Sequence, residues 1–577
     1  VSTNAALSIP ARHSLSLPDK SLWIMTLVLV VLAFFLIYPV LLLLVQSFNV
    51  AAEFFGVPKW GLDNWRNGFQ ERGLLVALAN TVMVWAFSIA ISLPIAIAIA
   101  WTLARTRIPF SRGLEFMFWV AFMLPSVSIT IAWIALLDPY LGLLNSILGA
   151  VPFIGKMQFN IYSVAGIVWV HVVTSGIPVM VILLTPAFRN MDSVLEEASR
   201  VSGGSTFATM LRVTLPLMMP PIALVFALKL LRVFQTFDIE LLLGTPINFF
   251  VYSTYIYNVL QNTPPNYGQA TVLASVTLAL IALIIPIQRW LLQRKSYSTI
   301  TSKFKPGLIS LGRWQPVALI LVVLIVAVLT IVPFVALLVS SFMNRAGFFR
   351  LGFTVNHWQT VVSDPLFLRA LSTTVVLATT SAIISPVLFS LLAYIIVRTK
   401  WRGRKILDSM IWISGAIPGM LSGLGLLIIF LGTPGLNVLY GTIWALIIVV
   451  ILQGHTTGTN ISKAAIIQVG NDMEEVARVS GATWLRAYFT IWLPLLMPTM
   501  ALLAMSHFVA AAGTTSTIIL LASRETTTLS LLALEYGAES VGNREAATVI
   551  SLIIIGMTCV MAIFIRAFGL RQSVRHS

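Results

Sequence analysis

Long apolar runs alternate with short polar breaks from Leu22 almost to the end of the chain. A run of about 20 apolar residues is what an α-helix needs to cross a bilayer. The pattern predicts six spans near 22–47, 75–104, 115–137, 161–188, 216–236 and 268–292. It predicts six more near 316–341, 370–397, 409–432, 439–462, 494–521 and 546–568. The residue-by-residue alternation of a membrane barrel is absent. Prolines and glycines inside several runs are tolerable where neighbouring helices satisfy the freed backbone groups. The predicted fold is an all-α integral membrane protein of twelve transmembrane helices.

The two sets of six are copies. Pro39 matches Pro333, Ser47-Phe48 matches Ser341-Phe342, and Trp65 matches Trp358. Arg105-Thr106 matches Arg398-Thr399, and Pro125 matches Pro418. These offsets are 293 or 294 residues; beyond the third run the offset falls to 278. The first half therefore carries about fifteen extra residues around Asp138–Ile161. The organisation is a tandem duplication. A tail over 1–20 precedes a first repeat over 21–295. A basic linker, 296–314, leads to a second repeat over 315–570 and a tail over 571–577.

Each repeat interrupts its apolar pattern with one polar island, over 190–216 and over 469–494. The first reads Glu196-Glu197-Ala198-Ser199-Arg200-Val201-Ser202-Gly203, then Val213-Thr214-Leu215-Pro216. The second reads Glu474-Glu475-Val476-Ala477-Arg478-Val479-Ser480-Gly481, then Ile491-Trp492-Leu493-Pro494. Ser193 with Glu196, and Asp472 with Glu475, have the spacing of a capping box, which predicts a helix start. Gly203 and Gly481 suit the left-handed residue that closes such a helix. Ser205 and Thr483 can cap a second short helix. Pro216 and Pro494 fit the first turn of the membrane helix that follows. The expected product is a helix–glycine–helix elbow projecting from the membrane.

Composition agrees with the pattern. The chain is 58% hydrophobic and 10% charged, with a mean hydropathy of +0.94. A soluble domain carries roughly 25% charged residues. The net charge of +16 is read as Lys and Arg marking topology in short loops rather than as a nucleic-acid surface. The loop after the second span carries Arg105, Arg107 and Arg112. Its twin carries Arg398, Lys400, Arg402, Arg404 and Lys405, and the linker is basic too. These segments, both termini and both elbows are expected in the cytoplasm. Arg345, Arg350 and Arg369 fall on the other side, in a loop long enough for the rule to weaken. The run from Leu22 to Val45 is too long for a typical signal peptide and is read as a retained span.

The islands resemble the EAA loop of the membrane subunits of bacterial ABC importers. Glu197-Ala198-Ser199 and Glu475-Val476-Ala477 match its Glu-Ala-Ala with one substitution each, and both Gly and Pro spacings are intact. The chain as a whole resembles the fused permeases of iron(III)-type importers, an architecture that also serves thiamine, 2-aminoethylphosphonate and phosphorylated sugars. Leu136-Leu137-Asp138-Pro139-Tyr140-Leu141-Gly142-Leu143-Leu144-Asn145 adds to that likeness. The resemblance implies the type I importer fold and a bacterial inner-membrane location. It implies two copies of a cytoplasmic ABC ATPase holding ATP and Mg, and one periplasmic or lipid-anchored binding protein. Glu196, Glu197, Ala198, Gly203 and Pro216, with Glu474, Glu475, Ala477, Gly481 and Pro494, would then grip the ATPase. The acids could equally serve only to cap their own helices.

This chain itself holds no GxxxxGK[ST]; Gly155-Lys156 lacks the upstream glycine and the Ser or Thr. No catalytic constellation stands out, no Cys/His cluster has metal-site spacing, and the single Cys559 reads as a small hydrophobe. The expectation is a conduit with no cofactor and no enzyme activity of its own. Ionisable residues inside spans are costly and therefore informative. Lys229 and its repeat partner His507 occupy the same depth of the fifth spans, with Arg232 one turn beyond Lys229. Facing one pathway they would attract an anion or a liganded metal; otherwise Lys229 and Arg232 snorkel and His507 packs. Asp238 and Glu240 are expected at the outer end of the fifth span, to meet a substrate or a docking protein or to stand as solvated loop acids, and His171 and His455 to pack. The substrate expectation is iron(III) or an anionic compound such as a phosphonate or organophosphate. A secondary transporter driven by an ion gradient would need acidic sites at mid-membrane depth, and it leaves the twin islands unexplained.

Overall fold

Prolines follow every π-turn of the described residues, while Pro94, Pro186, Pro286 and Pro386 sit inside unbroken α-helices. In the computed structural model, four π-helical turns occur among the described residues: Val172–Gly176, Met210–Thr214, Ala327–Ile331 and Tyr488–Trp492. Each ends two residues before a proline: Pro178, Pro216, Pro333 or Pro494. A proline lacks the N–H for the i−4 carbonyl and its ring pushes that carbonyl away, so the preceding turn widens. The second repeat has Thr456 where the first has Pro178, and there the fourth span is one unbroken helix, Ile443–Gln468.

The structure describes residues 19–51, 53–149, 158–293, 308–345, 347–348, 351–470, 472–538 and 543–575. The expectations for tail residues 1–18 and 576–577, linker residues 294–307 and Gly155-Lys156 lie outside them. Among the described residues eight helices are long and apolar enough to cross a membrane, or up to twelve spans if each of four bent pairs counts as one. The bent pairs fall in the third and fifth spans of each repeat. In the third spans, Ser111–Met123 meets Ser126–Leu137 at 96°, and Arg404–Ser414 meets Gly419–Gly432 at 112°. Leu124 precedes Pro125 and takes the extended conformation that position favours (ψ 128°), which ends the first helix. In the fifth spans the bends are 65° and 78°, and the membrane helices start at Met219 and Met497, three residues after the prolines expected to open them.

The duplication is visible in side-chain detail. Trp65 Nε1 donates to Ser47 Oγ at 3.1 Å, and Trp358 Nε1 to Ser341 Oγ at 3.2 Å. Phe48 stacks on Trp65 at 5.7 Å between ring centres, and Phe342 on Trp358 at 5.8 Å.

The packed bodies, however, are not the repeats. One core joins Ile99, Ile129, Val170 and Leu184 of the first repeat to Leu337 and Ile550 from the first and last spans of the second. Another joins Leu424, Leu446 and Phe508 of the second repeat to Leu43 and Leu273 from the first and last spans of the first. Met25, Leu32 and Leu36 also pack with Tyr394, Ile411 and Trp492. Each repeat therefore lends its outer spans to the other.

Between the second and fourth spans the two bodies solve one packing problem in opposite ways. The second repeat places Phe389 against Gly458; the equivalent positions of the first repeat are buried Ala96 and Met180. A Cβ on Gly458 would come within 2.1 Å of Phe389 Cδ2, and that ring is fully buried. Gly458→Ala should therefore lower stability by about 1–3 kcal/mol through overpacking. The thermal midpoint of the purified variant checks this, and an unchanged midpoint would show that the ring can move aside.

Candidate functional site

The elbows form much as their sequence requires. Val194–Val201 is helical and ends at Ser202, after which Gly203 adopts φ +85°. Gly203 N donates to Arg200 O and Gly204 N to Ser199 O, the paired bonds of a Schellman motif. Asp472–Val479 ends the same way, with Gly481 at φ +83°. Ser205 Oγ accepts from Ala208 N at 3.2 Å and Thr483 Oγ1 from Arg486 N at 3.3 Å, so both second helices are capped.

The capping box at Ser193 and Glu196 does not form. Ser193 Oγ instead donates to Glu197 Oε1 at 2.7 Å. Glu196 turns inward and is 1% exposed, because a stronger partner waits there. Arg105, the last residue of the second span (Arg72–Arg105), donates Nε to Glu196 Oε2 at 3.1 Å and pairs with it through Nη2 as well. Thr214 Oγ1 donates to the other carboxylate oxygen at 2.6 Å, and Arg105 Nη1 donates to Met191 O at 2.9 Å. A charged hydrogen bond outweighs a helix cap. Asp472 heads its helix rather than flanking it, and the side chains of Asp472 and Ala477 lie outside the described residues.

The second repeat builds the same joint from aromatic groups. Buried Glu474 accepts from Tyr394 Oη at 3.0 Å and from Trp492 Nε1 at 3.2 Å. Arg398, the twin of Arg105, donates to the carbonyls of Ile466 and Val469 and lies 4.6 Å over the Trp492 ring. Trp492 occupies the position of Thr214.

With the first acid of each pair turned inward, the outer surfaces match. Glu197, Ala198, Glu475 and Val476 face out. Val201 is 90% exposed and Val479, its twin, 89%. Phe207 pairs with Leu485 and Leu211 with Phe489, all exposed. Apolar side chains thus lie exposed at the same register of both elbows.

Deeper in the molecule, a cavity of about 360 Å³ brings Lys229, Arg232 and Asp238 together with His171 and Trp85. Lys229 and Arg232 end the helix Met219–Leu231, where the carbonyl end of the dipole favours cations. Lys229 Nζ donates to Ser175 O, a carbonyl of the π-turn before Pro178, and Trp85 Nε1 donates to Lys229 O at 3.0 Å. Arg232 has no hydrogen-bond or ion-pair partner among the described residues. Asp238 accepts from Ser126 Oγ at 2.7 Å and from Thr515 Oγ1 of the second repeat. Glu240 is no loop acid: it is fully buried and bonds His171 Nε2 at 2.7 Å. His171 is thus a cavity-wall group paired with a carboxylate, beyond the packing role expected of it. His507 stands elsewhere. Its ring lies 5.0 Å from that of Phe389 and rests on Gly454, where a Cβ would come 1.7 Å from His507 Cε1. His455 packs by hydrogen bonds to Ser414 Oγ and to the Leu452 carbonyl.

Two matches to one family fall on the two repeats. Residues 92–297 and 386–574 each match the binding-protein-dependent transport system inner membrane component. The chain belongs to this family. It is 23% identical over 362 residues to the ferric transport system permease protein FbpB of Actinobacillus pleuropneumoniae, covering 60% of this chain and 51% of that protein. It is 26% identical over 361 residues to a putative FbpB 1 of Haemophilus influenzae, covering 60% and 55%. It is 27% identical over 208 residues to the molybdate/tungstate transport system permease protein WtpB of Pyrococcus abyssi, covering 36% and 79%. The chain spans about half the length of the two ferric permeases it matches. The family membership and the twelve-span helical fold agree with the duplication and the resemblance read from the sequence.

Proposed function

We propose that this family member is the membrane subunit of an ABC importer, moved by a separate ATPase that grips its two elbows from the cytoplasm. The observation that carries the proposal is the repeated outer surface of the elbows, Val201 with Val479, Phe207 with Leu485 and Leu211 with Phe489. A symmetric pair of ATPase subunits would present two equal clefts, and the elbows present two nearly equal plugs. A binding protein outside the membrane would deliver a small solute, and alternating access would carry it between the two bodies. Nucleotide must bind the two conformations with different affinity for that cycle to run. The cargo we read as ferric iron or a small anionic compound, in keeping with the cationic cavity and with relatives named for ferric and for molybdate/tungstate transport.

The test is association. Val201→Asp with Val479→Asp should abolish co-purification of the ATPase and cargo uptake, since buried apolar anchors are each worth about 2 kcal/mol or more. Both sites face outward, so melting of the purified chain should be unchanged. An ATPase that still co-purifies in full would sink the elbow reading.

A further inference from the structure

We infer that the cavity of the first repeat is a one-sided oxyanion site, built by that repeat alone, with Lys229 and Arg232 as the groups that hold the anion. The inference rests on the importer reading for what the site is for, but not for its existence or its charge.

Three observations carry it. The first is the guanidinium of Arg232, solvent-accessible on the wall of the cavity and without a hydrogen-bond or ion-pair partner among the described residues. An ionisable group that faces an open cavity inside a bundle is placed to meet a ligand rather than another side chain. Asp238 lines the same cavity, but its hydrogen bonds go to the hydroxyls of Ser126 and Thr515 and it forms no ion pair with Arg232 among the described residues. Glu240 is turned away onto His171. The second is the surplus of donors. Lys229 and Arg232 lie three residues apart and so share one helix face. The ammonium of Lys229 uses one of its three N–H groups on Ser175 O. The Ser88 hydroxyl, on the same wall, is buried without a partner among the described residues. Several free donors around two cations suit a ligand with several acceptor oxygens.

The third is what the duplication did not copy. At the twin positions, Lys229 becomes His507, Arg232 becomes Ala510, His171 becomes Val449 and Asp238 becomes Ser516. Ser126 becomes Gly419 and Glu240 becomes Ile518. The framework hydroxyls stay: Ser88 and Ser92 are matched by Ser381 and Ser385. The second repeat has kept the scaffold and lost the charges, and the His507 ring lies against the bare backbone of Gly454. A site shared equally by both repeats would have kept a cation on each side. A bare metal cation is repelled here, so iron would enter this cavity only inside an anionic complex.

The purified full-length chain, without ATPase, is titrated by calorimetry with inorganic phosphate, sulfate and citrate, and with choline as a cationic control. At least one oxyanion should bind with a dissociation constant below about 10 mM and close to one site per chain. Lys229→Gln and Arg232→Gln should each weaken it about tenfold or more, and choline should not bind. His507→Gln should leave the affinity within about twofold. An unaltered melting curve shows that each variant is folded. The titration is repeated in nanodiscs of zwitterionic and of anionic lipid, and equal binding in both fits a dissolved anion. Binding lost in the anionic discs would assign the cations to a lipid headgroup and overturn the proposal. So would wild-type chain that binds none of the three anions, or binding indifferent to Lys229 and Arg232, or a loss with His507→Gln as large as theirs. The elbow experiment can fail while this one succeeds, because no ATPase takes part here.

Discussion

Arg105→Ala should destabilise the elbow end of the first repeat by about 3–5 kcal/mol, because it strands Glu196 as a buried carboxylate without its counter-charge. Glu196 has one other partner among the described residues, the Thr214 hydroxyl, and a neutral donor cannot replace a guanidinium that meets it through two nitrogens. The same substitution frees the Met191 carbonyl, which Arg105 also holds. The carboxylate will then take up a proton or pull the elbow toward water, and in either case Val194–Val201 loses its tether to the second span. Removing both charges together, as Arg105→Met with Glu196→Leu, should recover most of the lost stability, because paired burial of charge is worth little against a well-packed apolar pair. The twin substitution Arg398→Ala should cost less, about 1–3 kcal/mol, since it removes bonds to two carbonyls and a cation–ring contact but leaves Glu474 held by Tyr394 and Trp492. Thermal unfolding of the three purified variants, with protease sensitivity of the elbow, checks the ranking. Equal losses at Arg105 and Arg398 would overturn the view that the two joints are built on different chemistry.

The duplication, the helical class and the elbows were legible in the sequence because they rest on local rules. Apolar run length, a glycine at the end of a short helix and a proline after it all act within a few residues. Gly203 and Gly481 take the left-handed conformation that their positions require. The capping box failed for the opposite reason. Ser193 and Glu196 have the right spacing, but the winning partner of Glu196 is Arg105, ninety-one residues away, and no local pattern names it. A signal was present: Arg105 and Arg398 are matched in the repeat, and so are Glu196 and Glu474. Reading those arginines only as topology markers hid it. The ranges 115–137 and 409–432 did not mark the breaks at Leu124-Pro125 and Ile417-Pro418, although the residue before a proline is biased away from helix. The cavity was half legible. Lys229 and Arg232 are conspicuous in an apolar run, and Asp238 joins them. The exclusion of His507 is tertiary, fixed by Phe389 and Gly454 from two other spans. Repeat symmetry suggested a pair; the structure has one cationic cavity wall and one filled one.

The exchange of outer spans leads to the second large effect. If the chain is divided within the linker and residues 1–295 are produced alone, the first repeat should fail to form a stable membrane protein. Its own first span contributes Leu43 to a core with Leu424, Leu446 and Phe508, all of which would be missing. Its remaining spans would in turn lose Leu337 and Ile550, which fill the other core. Helix association in a bilayer depends on close packing rather than on escape from water, so faces shaped for absent partners have little to hold them in place. The hydrogen bonds across the bodies would go as well, among them Thr515 to Asp238 and Arg544 to Asp138. The Asp138 pair is the more costly to lose, because that carboxylate is 2% exposed. Residues 308–577 alone should fare no better. Production of both pieces in one cell should restore a complex that co-purifies at a one-to-one ratio, since the cores need the spans and not the peptide bond between them. Monodispersity in detergent and yield from membranes read the outcome. A first piece that is monomeric and stable by itself would mean that the repeats, and not the exchanged bodies, are the units that fold. In that case the bodies proposed to move against each other would have to be redrawn along the repeat boundary.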